Sequence, residues 1–321
     1  MNRRSLTLLG AVLALAPLLG QAQSFPEKPI TFVVPFAAGT ATDQIARALG
    51  NVITAETKQA VVIDNRAGAS GFIASQFVAK APADGYTVLI TTNTTHAANE
   101  HLYKKLPYDP VKDFAPLAGL GKGGQIMVVN PASNVKSVAD FIALAKKEPG
   151  KLSFGSGSSS SRMAGELLQQ MADIKLLHVP YKSNTLAVTD LLGGQIDMMI
   201  TDTATGLPQV KGGKLRALGM SSASRSPLAP DVPTIAEAGV KGYEMGYWFA
   251  AYAPAKTPPA VVKRLNELLV KAAKSDSAKT AFYEPSGTEV FTTSPEELAK
   301  FQAGESQKWG RIVKAAGIEA E

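Results

Sequence analysis

The chain contains no cysteine. No disulfide can staple it, and no lipidated cysteine can anchor it. Its 321 residues must therefore be held by a buried core, and that length suggests two domains of ordinary size. Histidine is scarce. His96, His101 and His178 are the only three, and none stands at metal-ligand spacing from a carboxylate, so no metal is expected. Aromatic residues are 7% of the chain and charged ones 19%, an ordinary globular surface. The basic residues are scattered and form no run, so nucleic acid is not an expected partner.

One long apolar run occurs, and it is at the start. Arg3 and Arg4 form a positive n-region, Leu6 to Leu19 is almost wholly apolar, and Gly20 and Ala22 occupy the −3 and −1 positions of a cleavage site after Ala22. That is the layout of a secretory signal peptide, and the run is short for a span of about 20 residues. An exported protein beginning near Gln23 is the expectation. The formal charge is +6; of the 33 basic side chains, loss of Arg3 and Arg4 leaves 31 against 27 acidic ones, or +4. Such a mild positive field favours an anionic ligand.

The rest alternates short apolar runs with amphipathic stretches. Strands are expected at Pro29–Pro35, Ala60–Asp64 and Tyr86–Thr91, with helices at Thr42–Val52 and Gly71–Lys80 between them. This β-α-β-α-β order implies a parallel sheet covered by helices on both faces. Phe114–Asn130, broken by glycines, reads as a strand leaving one lobe for another. The α/β rhythm then repeats through helices Ser137–Lys147, Met163–Met171 and Thr185–Leu192 and strands Leu152–Gly155, Leu176–Pro180, Ile196–Ile200 and Leu215–Met220. Gly246–Tyr252 is the return crossing, and helices Pro259–Ser275 and Pro295–Ala316 cover the first lobe. The expected division is a leader at 1–22, a first lobe from 23–122 and 246–321, and a second lobe at 123–245.

Four loops share one property. Pro35–Asp43, Thr91–His96, Gly155–Arg162 and Thr201–Thr205 each follow an apolar strand, precede a helix, and are rich in glycine or hydroxyl-bearing residues. In open α/β sheets ligands bind beyond the carboxyl ends of strands, where helix N-termini present unpaired amides and partial positive charge. Such donors suit a carboxylate. Each hydrogen bond to a charged group contributes ~1.5–3 kcal/mol, so four or five of them against an apolar wall reach micromolar affinity, which needs about 8 kcal/mol, after ordering costs. Taken singly, a Ser, Thr or Asp in such a loop is read first as a helix cap. Four loops at equivalent positions turn the balance toward a site. The assigned ligand-binding residues are Phe36, Ala38, Gly39, Thr40, Thr42 and Asp43; Asn93, Thr94, Thr95 and His96; Ser156, Ser158 and Ser159; and Asp202 and Thr203.

Enzymatic motifs are poorly represented. Gly155-Ser156-Gly157-Ser158 lacks the order of a nucleophile elbow, and Ser160 stands where a dinucleotide fingerprint needs its third glycine. No cofactor is expected, and no catalytic residue is assigned. Asp43 reads as a cap or a partner for Arg47 four residues on. Asp202 reads equally as a cap or as an acceptor for a ligand ammonium or hydroxyl, and Trp248 as hinge packing or an aromatic stacking surface.

Several ordered segments carry a resemblance. They include Phe25-Pro26-Glu27-Lys28-Pro29-Ile30, Asn65-Arg66-Ala67-Gly68-Ala69, Lys80-Ala81-Pro82-Ala83-Asp84-Gly85-Tyr86, Val179-Pro180-Tyr181-Lys182, Asp190-Leu191-Leu192-Gly193-Gly194-Gln195-Ile196-Asp197, and Asp231-Val232-Pro233-Thr234-Ile235-Ala236-Glu237-Ala238-Gly239. In these the mature chain resembles the periplasmic receptors of tripartite tricarboxylate transporters, the Bug receptors. The resemblance implies a two-lobed, type II binding-protein fold, with each lobe an α/β sheet flanked by helices. It also implies a carboxylate held partly through waters by the loops matching Pro35–Asp43 and Thr91–His96. Two departures stand near that site. Ala38-Gly39-Thr40 replaces the family's Pro-Gly-Gly, and Tyr181-Lys182-Ser183-Asn184 replaces its Tyr-Lys-Gly.

The expectation is a monomeric receptor that captures a small organic carboxylate, dicarboxylate or aromatic, and passes it to membrane permease subunits. A sensor feeding a membrane signalling partner would share the fold. A secreted hydrolase using Ser156, Ser158 or Ser159 with His178 as base is the enzymatic alternative.

Overall fold

The computed structural model describes residues 25–315 and 317–320, so the leader reading and its cleavage after Ala22 lie outside the described residues. Nine strands form one continuous mixed sheet that serves two lobes. In the first lobe β1 (Ile30–Val34) pairs in parallel with β2 (Val61–Asn65) and β3 (Thr87–Thr92). Next to β3 lies β9 (Gly246–Pro254), antiparallel to it, and then the first half of β4 (Phe114–Val129). In the second lobe the other half of β4 pairs with β7 (Met198–Asp202) on one side and β8 (Arg216–Met220) on the other. Beyond β7 follow β5 (Ser153–Ser156) and β6 (Leu177–Pro180), both parallel.

Helices close both faces. In chain order they are α1 (Ala41–Thr57), α2 (Phe72–Ala79), α3 (Asn99–Leu102), α4 (Val138–Lys147), α5 (Ser159–Ala172), α6 (Asn184–Leu192), α7 (Thr203–Lys211), α8 (Pro259–Lys274), the short turns α9 (Asp276–Ala278) and α10 (Glu284–Ser286), and α11 (Pro295–Ala315). Periodicity explains the long ones. α1 buries Ile45, Ala46, Leu49 and Ile53, and α8 buries Leu265, Leu268, Leu269 and Ala272, each a stripe at helical spacing. Pro259 begins α8, where its missing N–H has no intrahelical role. One apolar cluster runs along one face of the sheet through both lobes, joining Leu89, Met127, Phe154, Trp248 and Tyr252. The other face carries separate clusters, with Phe32, Leu49, Phe249 and Leu265 in the first lobe and Ile126, Val128, Leu191 and Leu207 in the second.

The lobes meet where β4 changes partners. Residues up to Gly124 pair with β9, and Gln125 onward pair with β7. Two glycines stand at this point because neighbours press on them: a Cβ on Gly123 would meet the Tyr247 hydroxyl at 2.5 Å, and one on Gly124 would meet Ser222 at 2.7 Å. Ser221 ties the two crossings together. Its Oγ accepts from the Gln125 amide at 2.6 Å and donates to the Met245 carbonyl, and its own carbonyl accepts from the Met245 amide at 2.8 Å.

Among the segments whose bounds differ from the sequence reading, three bear on the cleft. β7 starts at Met198 rather than at Ile196, because the Gly193-Gly194 turn runs on to Asp197, whose carboxylate accepts from the Ser153 amide and hydroxyl. α5 starts at Ser159 rather than Met163, so the Gly/Ser tract supplies its first turn. The stretch read as the Thr91–His96 loop is β3 as far as Thr92, followed by a single wide helical turn at Thr94–Ala98 that leads into α3.

Candidate functional site

The carboxyl ends of β1, β3, β5 and β7 converge on one interlobe cleft. All four loops named from the sequence send at least one residue to a narrow cavity of about 30 Å³. The β1–α1 loop contributes Phe36, Thr40, Ala41 and Thr42, and β3 contributes Thr92. The β5–α5 loop contributes Gly157, Ser158 and Ser160. Asn184, Asp202, Tyr247 and Phe249 complete the lining.

The decisive comparison is between helix starts. Ser137, Ser158, Ser183 and Asp202 each cap their helix, accepting from the amide of Asp140, Ser161, Leu186 and Thr205 respectively. For the second lobe's loops the ordinary cap role is therefore real. α1, like α2 and α8, has no side-chain cap, and of these three it is the one whose start lines the narrow cavity. Its N-cap Thr40 makes none because its hydroxyl donates instead to the Ala37 carbonyl at 2.8 Å. The first amides of a 17-residue helix are left without an intrahelical partner, at the wall of the cavity. A neutral donor set and a helix dipole together favour an anion there by ~0.3–1 kcal/mol from the dipole alone, up to ~2 kcal/mol when partly buried.

The loop before α1 is braced so that this end holds its place. Asp43, buried in the first turn, accepts from the Gly39 amide at 2.9 Å, from Arg47 and from Asn65. Burial pushes its carboxyl up, but the bonds from Arg47, Gly39 and Asn65 outweigh that and hold it below the usual range. Asp43 thus shapes the loop and does not line the cavity. Gly39 needs its freedom, with φ of 81°.

Opposite, the second lobe is built on Gly157. A Cβ there would lie 1.8 Å from the Ser183 carbonyl carbon. Only glycine lets the β5–α5 loop press against Ser183-Asn184, where the Gly157 amide donates to Asn184 Oδ1 at 2.9 Å. Asn184 Nδ2 in turn donates to Asp202 Oδ2 at 3.0 Å, while Asp202 Oδ1 takes the Thr205 amide. Among the described lining residues Asp202 is the one carboxylate, and none is a lysine or arginine. Tyr247 closes the floor. Its hydroxyl lies 3.0 Å from Thr203 Oγ1 and 2.9 Å from Thr288 Oγ1, and burial pushes its phenol up to about 12.

A second chamber of about 400 Å³ opens beside the first and shares Phe36, Gly157 and Ser158 with it. Ser156 and Ser159 line this chamber together with Ser70, Tyr103, Arg162, His178, Tyr181 and Lys182. Ser159 Oγ also donates to Asn99 Oδ1 at 2.8 Å, a direct bond between the lobes.

Other assigned residues stand elsewhere. Ala38 and Gly39 are on the exposed side of their loop. Asn93 donates to the Gly246 carbonyl at the crossing, and Thr94 and Thr95 are buried outside both lining sets. The Thr95 hydroxyl sits 2.6 Å from Thr91 Oγ1 and 2.8 Å from His96 Nδ1. His96 is fully buried, stacked on Tyr252 at 3.8 Å between ring centroids. Burial pushes its imidazole down to about 3, so it is neutral. Thr203 faces Tyr247 and the back of the hinge. Trp248 packs in the shared core and donates to Glu305 at 3.2 Å. Ala41, Thr92, Gly157, Ser160, Asn184, Tyr247 and Phe249 at the cavity, and Ser70, Tyr103, Arg162, His178, Tyr181 and Lys182 at the chamber, were not assigned from sequence. A signal existed for Asn184, the departure from the family's Tyr-Lys-Gly.

The hydrolase alternative has one feature in its favour. Ser156 Oγ lies 2.7 Å from His178 Nε2. Yet Ser156 ends an extended strand, and the adjacent Gly157 amide, the natural oxyanion donor, is given to Asn184.

The family model described as tripartite tricarboxylate transporter family receptor matches residues 45–318. Protein BugT of Bordetella pertussis is 34% identical over 321 residues, 98% of each chain. An R. palustris protein solved with adipate superposes with a TM-score of 0.90 at 36% identity, covering 92% of this chain and 100% of that one. MatC from Rhodopseudomonas palustris, with bound malate, gives a TM-score of 0.85 at 30% identity over 90% of this chain and 100% of its own. With sequence and backbone in agreement along the two lobes, the chain belongs to the tripartite tricarboxylate transporter receptor family, a family of periplasmic solute-binding proteins rather than enzymes.

Proposed function

We propose that this chain is an exported receptor that binds a small organic carboxylate between its lobes and delivers it to a tripartite tricarboxylate-type permease. The observation that carries the reading is the uncapped start of α1 at the narrow cavity, with Thr42 beside it and the serines of the α5 start across the cleft. A carboxylate seated under α1 meets backbone amides and hydroxyls, and no lysine or arginine is among the described lining residues, so no buried cation needs neutralising when the cleft is empty. Relatives solved with adipate and with malate support a carboxylate ligand. The leader at 1–22 supports export, and the two crossings at Gly124 and Gly246 supply the axis for closure. Titration calorimetry over mono-, di- and tricarboxylates, amino acids and aromatic acids tests the reading. At least one saturable carboxylate ligand is expected, and silence from every acid would remove it.

A further inference from the structure

Asn99 is fully buried where the lobes touch, and both ends of its amide are engaged. Nδ2 donates to the Ser70 carbonyl at 3.0 Å and to the Tyr108 oxygen at 3.2 Å, both in the first lobe. Those two bonds fix which way the amide faces. The Tyr108 hydroxyl gives its single hydrogen to the Thr95 carbonyl at 2.9 Å, so toward Asn99 it can only accept. A turned amide would set its oxygen against two acceptors. Oδ1 is therefore held toward the second lobe, where it accepts from Ser159 Oγ at 2.8 Å. Ser159 is not the cap of α5, because Ser158 fills that role by accepting from the Ser161 amide. Its buried hydroxyl donates across the lobe boundary instead.

The place of this bond relative to the hinge gives it a role. Asn93 donates to the Gly246 carbonyl at the crossing, at 3.1 Å. From there the chain runs through the wide turn Thr94–Ala98 to Asn99, on the order of 9 Å at ~1.5 Å per residue. At that distance from the axis a modest rotation of one lobe carries the two partners past hydrogen-bond reach. We infer that Asn99 and Ser159 form a clasp that holds the lobes together with no acid in the cleft. The bond joins protein to protein, so closure is an equilibrium of the chain itself, which an acid biases but does not create. The inference rests on the proposed function only in taking lobe closure as the working motion. Loss of the Ser159 hydroxyl would leave the Asn99 oxygen buried and unpaired in the closed form, whereas water reaches it in the open one.

The test uses the full chain from Gln23 onward with no acid added. The chain has no cysteine, so Lys104→Cys in the first lobe and Lys175→Cys in the second, both exposed positions, take spin labels at two chosen points. Pulsed electron resonance reads the distances between them. With the native clasp a dominant short-distance population is expected. In that labelled background Ser159→Ala should raise the ratio of long to short distances about two- to tenfold, the yield of one neutral hydrogen bond. Ser159→Thr, which keeps the hydroxyl, should hold the native ratio. A long-distance majority with the native clasp would overturn the inference. So would a ratio that Ser159→Ala leaves unchanged, or opening by Ser159→Thr as large as by Ser159→Ala. Because no acid is present, the clasp is decided separately from the receptor function, which falls only if titration finds no acid.

Discussion

Lowering the pH from 7 to 4.5 should weaken the folded chain by a calculable amount through one side chain, His96. The imidazole is fully buried, stacked on Tyr252, edge-on to Phe114, and bonded through Nδ1 to Thr95 at 2.8 Å, with no partner for Nε2 among the described residues. Burial pushes it down from the ordinary 6.5 to about 3. Because the folded value lies below the unfolded one, the unfolded state binds the proton first. The stability from neutral His96 is complete above 6.5, declines as pH falls below it, and is fully lost only below about 3. At pH 4.5 the unfolded imidazole is charged and the folded one is not, two units' worth of linkage, or roughly 2–3 kcal/mol. Urea unfolding followed by tryptophan fluorescence measures it, since Trp248 and Trp309 are both buried. Wild type and His96→Phe are compared at the two pH values, so carboxylates common to both cancel. The variant should lose less stability in acid by that margin. Equal acid losses in the two proteins would refute the claim that burial keeps this ring neutral. A carboxylate affinity that collapses in His96→Phe at pH 7 would instead return the ring to the ligand.

Other outcomes follow from the same geometry. Thr42→Val should weaken carboxylate binding by about 1–2 kcal/mol, five- to thirtyfold by calorimetry, with little change in melting temperature, because it removes one donor and keeps the shape. Thr95→Val should do the opposite, costing about 1–3 kcal/mol of stability in urea and leaving affinity alone, since its hydroxyl serves Thr91 and His96. Gly157→Ala places a methyl against the Ser183 backbone and should cost about 3 kcal/mol with loss of binding, read by thermal melting and titration. Retention of full affinity in Gly157→Ala would show that the β5–α5 loop is not fixed by that contact.

Much of the fold was legible because buried parallel strands and amphipathic helices announce themselves by period. The runs at Phe32–Val34 and Val88–Ile90 and the stripe of α1 are such cases. Boundaries were less legible where side chains decide them. Nothing in the tract Gly155–Ser161 says that Ser158 turns to cap and so starts a helix four residues early. The candidate site was legible as four loops that meet at one cleft, but not as atoms. Which hydroxyl faces the cleft depends on local bonds: Thr40 turns to Ala37 and leaves α1 uncapped, whereas Thr95, three residues past the end of β3, turns inward to His96. The lining of the chamber was hidden for another reason. Arg162 and Lys182 lie twenty residues apart on different elements, and only the packing of β5 beside β6 brings them to one space.

The place of β9 in the sheet has a consequence for how the polypeptide matures. β9 is made after the whole second lobe, yet it lies between β3 and β4, so the first lobe keeps an unfilled slot until residue 254 has emerged. Until then β3 lacks its antiparallel neighbour along Leu89–Thr92. A nascent polypeptide that cannot finish its N-terminal half early stays threadable for longer, a property the proposed export would use. A fragment ending at residue 245 should accordingly remain sensitive to protease across β1 to β3 while the intact molecule resists it.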